Sequence, residues 1–268
     1  MITVKINPVV DGEGEATAKI IYPDGTEYAI ENNEIVIENP ELWWTYELSG
    51  KDKQPLYKVS AKVISGEEVI SEKEISIGLR TLYLDRSRDK WGQNFQFVLN
   101  GVPVFAKGGN YIPSDSFINR FTDDKLNKML EAARFSNFNI IRVWGGGFYE
   151  DKEFWDFCDK NGLMVWHDFM IACELPPRED FYLAELEKEA VQVVKKFRNR
   201  ASMAIWCGDN ETDLAFFWGY MVENNLFPSS NKVTRELLPS VIMNNDPSHD
   251  YLPSSPYIAD ELVTPMRK

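Results

Sequence analysis

The chain has 268 residues, of which 44% are hydrophobic and 26% are charged, and its formal net charge is −13. This composition is typical of a globular protein, and the length suffices for one large domain or two smaller ones. The negative charge argues against nucleic acid or an anionic membrane surface as a partner, because both are bound through basic patches. No apolar run approaches the roughly 18 residues that a transmembrane helix needs.

The cysteines and histidines show no pattern of a disulfide framework or a metal site. Cys158, Cys173 and Cys207 are widely spaced, and three cysteines cannot all pair with one another. Each lies in an apolar stretch, which predicts buried free thiols. Unpaired cysteines favour a cytoplasmic location, although the sequence leaves the compartment open. His167 and His249 lack metal-ligand spacing, so we expect no metal.

Residues 1–80 consist of short runs in which apolar and polar residues alternate. Turn signals such as Pro23-Asp24-Gly25 and Ser65-Gly66 separate these runs. Five or six short strands at roughly ten-residue spacing predict a small β-sandwich, although an immunoglobulin-like sandwich has about seven.

From about residue 93, predicted strands alternate with predicted helices. A hairpin with an Asn100-Gly101 turn comes first. Apolar runs then predict strands that end near Tyr111, Trp144, Trp166 and Cys207, and a fifth near Asp250 to Ser254. The helical spacing of apolar residues predicts helices between them, including one over Phe181 to Arg198. This order indicates a parallel α/β sheet.

Polar and aromatic side chains follow the carboxyl ends of the predicted strands, namely Asn110, Arg142, Trp144, His167, Asp168, Asn210 and Glu211. In (β/α)8 barrels this edge of the sheet forms the active site. The glycines do not form the Gly-x-Gly-x-x-Gly turn of a dinucleotide-binding fold, which favours a barrel over a doubly wound sheet. A full barrel takes about 250 residues, so the roughly 175 that begin at Phe95 predict about half of one.

Several motifs occur in a fixed order along the chain: Glu38-Asn39-Pro40-Glu41-Leu42-Trp43-Trp44, Gly108-Gly109-Asn110-Tyr111, Arg142-Val143-Trp144-Gly145-Gly146-Gly147, Val165-Trp166-His167-Asp168-Phe169-Met170 and Trp206-Cys207-Gly208-Asp209-Asn210-Glu211. Together they resemble the motifs of β-mannosidases of glycoside hydrolase family 2. The likeness runs from about Ile35 to Pro256. Exo-β-glucosaminidases of the same family are the nearest alternative.

The resemblance implies a fold and a reaction. The fold is a multidomain β plus α/β chain, with an immunoglobulin-like β-sandwich in residues 1–82 and an incomplete (β/α)8 TIM barrel in residues 83–268. The reaction is hydrolysis, with retention, of terminal non-reducing β-D-mannose from a β-mannoside oligosaccharide or glycoside. It requires no cofactor.

The resemblance also assigns roles to individual residues. Glu211 matches the general acid/base, and Asn210 matches the amide that binds the sugar 2-hydroxyl group. Arg142 would orient the nucleophile and Trp144 would stack on the sugar. Without the family, Asn210 could equally be a turn residue and Trp144 a packing aromatic.

Asp115 and Asp168 would bind sugar hydroxyl groups, although each could instead stabilise its own loop. Trp218 would form a further wall of the sugar site. Asp209 stands where the family usually has Asn, and it would share a face with Glu211 only if the strand continued that far.

The family's nucleophile is a Glu in a Ser-Glu-Phe-Gly-like segment, which does not occur in this chain. We therefore expect the isolated chain to be inactive. Two alternatives remain open: a carbohydrate-binding remnant without catalysis, and one half of a split enzyme that a second chain completes.

Overall fold

The structure is a computed structural model that describes residues 1–216 and 226–258. Its amino-terminal part is formed by two antiparallel sheets. One sheet has the strand order β3-β2-β5-β6, and in the other β1 pairs with β4. The strands are β1 (Ile2–Lys5), β2 (Glu15–Ile21), β3 (Glu27–Ala29), β4 (Glu34–Ile37), β5 (Tyr57–Ser65) and β6 (Glu68–Ile77). Apolar side chains from both sheets, such as Val4, Ile20 and Ile37, form one buried cluster. The predicted β-rich region is therefore confirmed.

A three-stranded antiparallel sheet follows, made of β7 (Leu82–Asp85), β8 (Gln96–Leu99) and β9 (Val102–Val104). The predicted hairpin connects β8 to β9, and Asn100 and Gly101 have φ angles of 50° and 80°. Two consecutive positive φ angles are typical of a type I′ turn, which explains the Asn-Gly pair. Strand β7 and the short helix α1 (Tyr46–Ser49) were not predicted.

The remaining strands form one five-stranded sheet in chain order, and all neighbouring strands are parallel. They are β10 (Gly108–Tyr111), β11 (Ile140–Val143), β12 (Met164–Asp168), β13 (Met203–Cys207) and β14 (Asp250–Leu252). The helices between them are α2 (Asp123–Phe135), α3 (Lys152–Asn161), α4 (Asp180–Phe197), α5 (Thr212–Ala215) and α6 (Leu238–Asn245), with a π-helical turn at Val233–Leu237 before α6. The predicted parallel α/β arrangement, including its fifth strand, is confirmed.

Both faces of the central strands of this sheet are covered, and successive residues of a strand point to opposite faces. Ile141 and Val143 of β11 pack in a cluster with helix residues such as Leu130. Ile140 of the same strand instead packs in a cluster with Leu84 of the three-stranded sheet. Strands β11, β12 and β13 are consequently largely buried and apolar up to their carboxyl ends, as expected for parallel strands that are covered on both sides.

Two side chains join the amino-terminal sheets to the parallel sheet and its helices. Trp43 is fully buried, and its Nε1 donates a 2.7 Å hydrogen bond to the carbonyl oxygen of Asp159 at the end of α3. The Nε of Arg80 donates a 2.6 Å bond to the carbonyl oxygen of Ala201, just before β13. Within the described residues, no helix is both long and apolar enough to cross a membrane.

Candidate active site

The strand register brings the predicted polar residues to one edge of the sheet. Asn110 lies opposite Arg142, and Asp168 lies opposite Cys207, the last residue of β13. Strands in a parallel sheet share one direction, so their carboxyl ends meet at the same edge. The loops after β11, β12 and β13 therefore lie next to one another.

Arg142 is the centre of the polar network at this edge. Its Nε and Nη2 donate to Oδ1 and Oδ2 of Asp168 at 3.2 and 2.6 Å. Its Nη1 donates to Asn110 Oδ1 at 3.2 Å, and Nη2 also donates to Asn210 Oδ1 at 2.9 Å. A planar guanidinium group can bind several oxygens in fixed directions, so Arg142 sets the relative positions of three strand ends.

Asp168 is fully buried and receives two hydrogen bonds besides those from Arg142. The backbone N–H of Gly145 and the Nε1 of Trp166 donate to its carboxylate at 3.0 and 3.1 Å. Burial raises the pKa of Asp168 to about 6, and the Arg142 guanidinium opposes this rise. With four donors around it, Asp168 is an ionised partner of Arg142 at neutral pH.

Cys173 connects the two predicted residues of the loop after β13. Asn210 Nδ2 donates to the Cys173 sulfur at 3.4 Å, and the Cys173 thiol lies 3.6 Å from Glu211 Oε2 as a donor. The prediction that all three cysteines are buried is wrong for Cys173, which is exposed, whereas Cys158 and Cys207 are buried. The apolar residues before Cys173 belong to a loop that leaves the core at this point. Sequence reasoning missed this residue, since nothing in its local pattern marks it.

Glu211 lies on a tight turn and not on a continued strand. Strand β13 ends at Cys207, and Glu211 has a φ of 62°, in the left-handed region. Its backbone N–H donates to the carbonyl oxygen of Ser255 at 3.0 Å, and the N–H of Asn210 donates to the carbonyl oxygen of Ile171 at 2.9 Å. A non-glycine residue in this region is strained, and such strain recurs at active sites.

Asp209 does not share the surroundings of Glu211. Its side chain is fully buried, and its Oδ1 accepts hydrogen bonds from the Ser254 hydroxyl and the Thr212 backbone N–H at 2.5 and 3.2 Å. Strand β13 ends at Cys207, so the alternation that would have placed Asp209 beside Glu211 does not extend to Asp209.

Trp144 lies over the glycines that follow it. A Cβ atom on Gly146 would be 2.0 Å from the Trp144 ring, and one on Gly145 would be 2.6 Å from the carbonyl oxygen of Ile171. Gly146 is therefore required by the indole ring and Gly145 by a close backbone approach. Trp144 is half-buried at the same edge as Arg142.

Asp115 is bound within its own loop. Its carboxylate accepts from the Phe117 backbone N–H at 2.9 Å and pairs with Arg120 and Lys125 at 3.0 and 3.4 Å. The Phe117 hydrogen bond is the largest cause of the lowered pKa of Asp115. These hydrogen bonds hold the Asp115 carboxylate within its own loop, so its sugar-binding role stays a prediction. Trp218 lies outside the described residues.

A cavity of about 550 Å³ opens beside this network. Arg142, Asn110 and Trp166 line it, together with Phe95 and Phe97. Aromatic walls with a few convergent polar groups are typical of sites for small organic molecules. Among the described residues, no three His, Cys, Asp or Glu side chains form a group that could hold a metal ion.

Comparisons with known proteins identify relatives of this chain. Residues 2–80 match the family model described as glycosyl hydrolases family 2. The chain is 34% identical over 232 residues to the β-mannosidase B of Emericella nidulans, which covers 82% of this chain and 27% of that protein. It is 35% identical over 182 residues to the β-mannosidase of Capra hircus, which covers 67% of this chain and 20% of that protein. The chain thus spans about a quarter of the length of these curated relatives.

The fold of the chain is also similar to the folds of solved structures. The crystal structure of the β-D-mannosidase from Dictyoglomus thermophilum superposes with a TM-score of 0.80 at 30% identity, over 92% of this chain and 31% of that one. A β-glucuronidase from Parabacteroides merdae superposes with a TM-score of 0.69 at 19% identity, over 88% of this chain and 28% of that one, which shows the shared fold. By its family-model match, its β-mannosidase relatives and this structural match, the chain belongs to the glycosyl hydrolases of family 2.

Proposed function

We propose that this chain contributes the acid/base half of the active site of a retaining β-mannosidase. The observation that carries the proposal is the continuous network from Asp168 through Arg142, Asn210 and Cys173 to Glu211. This network holds an amide and a carboxyl group on one turn at the carboxyl edge of a parallel sheet, where barrel enzymes perform their chemistry.

In the proposed reaction, Glu211 first gives its proton to the glycosidic oxygen of the leaving group. A second carboxylate, about 5–5.5 Å away, attacks the anomeric carbon and forms a covalent glycosyl intermediate. Ionised Glu211 then takes a proton from water, which attacks the same carbon and releases mannose with retained configuration. No cofactor takes part in either step.

The remaining residues would bind the sugar and orient the second carboxylate. Asn210 uses one N–H on Cys173, and its other N–H can donate to the sugar 2-hydroxyl oxygen. Arg142 uses four of its five N–H bonds within the described residues, so one remains for the nucleophile. Trp144 would stack on the sugar ring, and Asp168 would act through Arg142.

We further propose that residues 1–82 form an immunoglobulin-like domain and that the parallel sheet after it is part of a (β/α)8 barrel. The nucleophile would come from a later strand of that barrel, outside this chain. It would be supplied either by the rest of a longer protein or by a second chain.

The test uses the purified chain and a chimera. In the chimera, the chain replaces the aligned segment of the Dictyoglomus thermophilum β-mannosidase. We expect no hydrolysis of p-nitrophenyl β-D-mannopyranoside by the chain alone, and turnover by the chimera. Glu211→Gln should lower this turnover about 10²- to 10⁴-fold, the usual contribution of a general acid/base. The loss should be smaller with a 2,4-dinitrophenyl leaving group, which departs without a proton.

Glu185→Gln is the matched control, because the Glu185 side chain is 72% exposed and lies on α4. It should leave turnover unchanged. A folded Glu211→Gln chimera with full turnover would overturn the role of Glu211. Turnover by the chain alone would show that the nucleophile is present in it, and faster cleavage of a β-glucosaminide would indicate an exo-β-glucosaminidase.

A further inference from the structure

The turn that carries Asn210 and Glu211 is attached to a second segment through Asp209. The Asp209 carboxyl group accepts from the Ser254 hydroxyl at 2.5 Å, and its backbone carbonyl oxygen accepts from the Ser255 N–H at 3.2 Å. Its Oδ1 also accepts from the Thr212 N–H at 3.2 Å, at the start of α5. One side chain thus connects the two ends of the turn to the segment that follows β14.

The surroundings of this carboxyl group disfavour a negative charge. Asp209 is fully buried, and within the part of the chain that the structure describes its Oδ2 has no hydrogen-bond partner. Both donors reach the same oxygen, Oδ1. An ionised carboxylate with one buried, unpaired oxygen is costly, whereas the neutral acid is tolerated far better.

The titratable groups around Asp209 come from every neighbouring element. They are Asp213 on α5, Tyr251 on β14, Cys207 on β13 and Cys173 on the loop after β12. The cation on the π-helical turn, Arg235, binds Asp213 Oδ2 at 2.5 Å, and no cation contacts Asp209 in the described residues.

The shift in the pKa of Asp209 agrees with these surroundings. Burial raises the pKa of Asp209 to about 7, and the charge of Asp213 adds to the rise. The hydrogen bonds from Ser254 and Thr212 oppose it without cancelling it.

We propose that Asp209 is a positioning residue whose neutral carboxyl group holds the Asn210–Glu211 turn on the Ser254–Ser255 segment, and that opening of this turn releases the proton of Asp209. The proposal rests on the proposed function only in treating Asn210 and Glu211 as site residues. The turn itself can be measured without sugar.

The sign and size of the effect follow from proton linkage. In the opened turn, solvent reaches Asp209 and its pKa returns towards the ordinary value of about 4. Between about pH 4 and 7 the closed turn then holds a proton that the open turn has lost. The opening equilibrium should therefore rise about tenfold per pH unit in this window and level off above it.

The experiment is hydrogen exchange of the backbone amides of residues 209–212 in the purified chain, corrected for the intrinsic pH dependence of exchange. We expect protection of these amides to fall on the order of 50- to 100-fold between pH 5 and 7. In Asp209→Asn, the side chain keeps its shape and an acceptor oxygen but cannot titrate, so this fall should disappear. Ser254→Ala should lower protection at every pH and keep the slope.

Glu150→Gln is the matched control. Glu150 is a second buried carboxyl group, whose pKa burial raises to about 7, and it lies before α3, away from this turn. This variant should change the pH dependence of global stability and leave that of the turn intact. A pH-independent protection of the turn in the parent chain, or an equal slope in Asp209→Asn, would overturn the proposal.

A second measurement tests the proposal if Asp209→Asn does not fold. In the unmodified chain, the ¹³C shift of the Asp209 side-chain carboxyl should titrate near pH 7. A midpoint near 4 would overturn the proposal. Neither readout depends on hydrolysis, so a failure here is distinct from a failure of the proposed function.

Discussion

Replacement of Arg142 by methionine should destabilise the chain through the charge that it leaves behind. Methionine fills much of the same volume, but Asp168 then loses both guanidinium hydrogen bonds in a fully buried position. Breaking a buried pair from one side costs about 3–5 kcal/mol. The Gly145 and Trp166 donors remain, so we expect the lower end of this range, about 3 kcal/mol. At about 2–4 °C per kcal/mol, the melting temperature should fall by roughly 6–12 °C at pH 7.

The pH dependence of this loss distinguishes a buried charge from lost packing. Burial already raises the pKa of Asp168 to about 6, and removal of Arg142 takes away the largest influence that lowers it. In Arg142→Met, Asp168 should therefore be protonated at pH 5, and its uncompensated charge disappears. The difference in unfolding free energy between the two proteins should then be largest at pH 7 to 8 and should shrink below pH 6.

The assay is chemical denaturation and thermal melting between pH 5 and 8. Arg120→Met is the matched control, because Arg120 also binds an aspartate but its side chain is 59% exposed. It should cost less than about 1 kcal/mol at any pH. Equal losses in the two variants, or a loss in Arg142→Met that stays constant down to pH 5, would refute the reasoning.

Two further substitutions test packing around the site and between the two parts of the chain. In Gly146→Ala, the new Cβ atom would lie 2.0 Å from the Trp144 ring, so the indole should move and the near-ultraviolet circular dichroism should change. Gly147→Ala is the control, since its Cβ would approach no atom closer than 3.2 Å. Trp43→Ala should lower the unfolding free energy by about 3–5 kcal/mol, because it empties a fully buried position and removes the bond to the Asp159 carbonyl. Identical spectra of the two glycine variants, or a loss below about 1 kcal/mol for Trp43→Ala, would contradict these expectations.

Elements with a strong local period were predictable from the sequence. The helix predicted over Phe181 to Arg198 is α4, Asp180–Phe197, and the strand predicted to end near Trp144 is β11, Ile140–Val143. The helix has a continuous apolar face and the strand a continuous apolar run. Both patterns are visible within a few neighbouring residues. Strand β3, Glu27–Ala29, has three residues that are all exposed, so no such pattern marks it.

The grouping of the predicted site residues follows from the strand ends, whereas the loops place residues that local patterns do not predict. Arg142, Asp168 and Asn210 end or follow parallel strands, and the structure brings them into one hydrogen-bonded network. Cys173, which has a φ of 55°, joins this network from a loop. No local rule predicts where such a loop places a thiol. Asp115 follows a strand too, but its loop turns the carboxylate towards Arg120.

Asp209 shows why the order of residues on a turn does not determine their surroundings. Alternation would place Asp209 beside Glu211 only if β13 continued past Cys207, where it ends. A Cβ atom on Gly208 would be 2.4 Å from the carbonyl oxygen of Pro253, so the chain can pass there only as glycine. This close approach brings the segment after β14 against the turn, and Ser254 then meets a residue 45 positions earlier. The role that we propose for Asp209 thus depends on a contact between distant segments, and the spacing of residues 209 and 211 does not predict that contact.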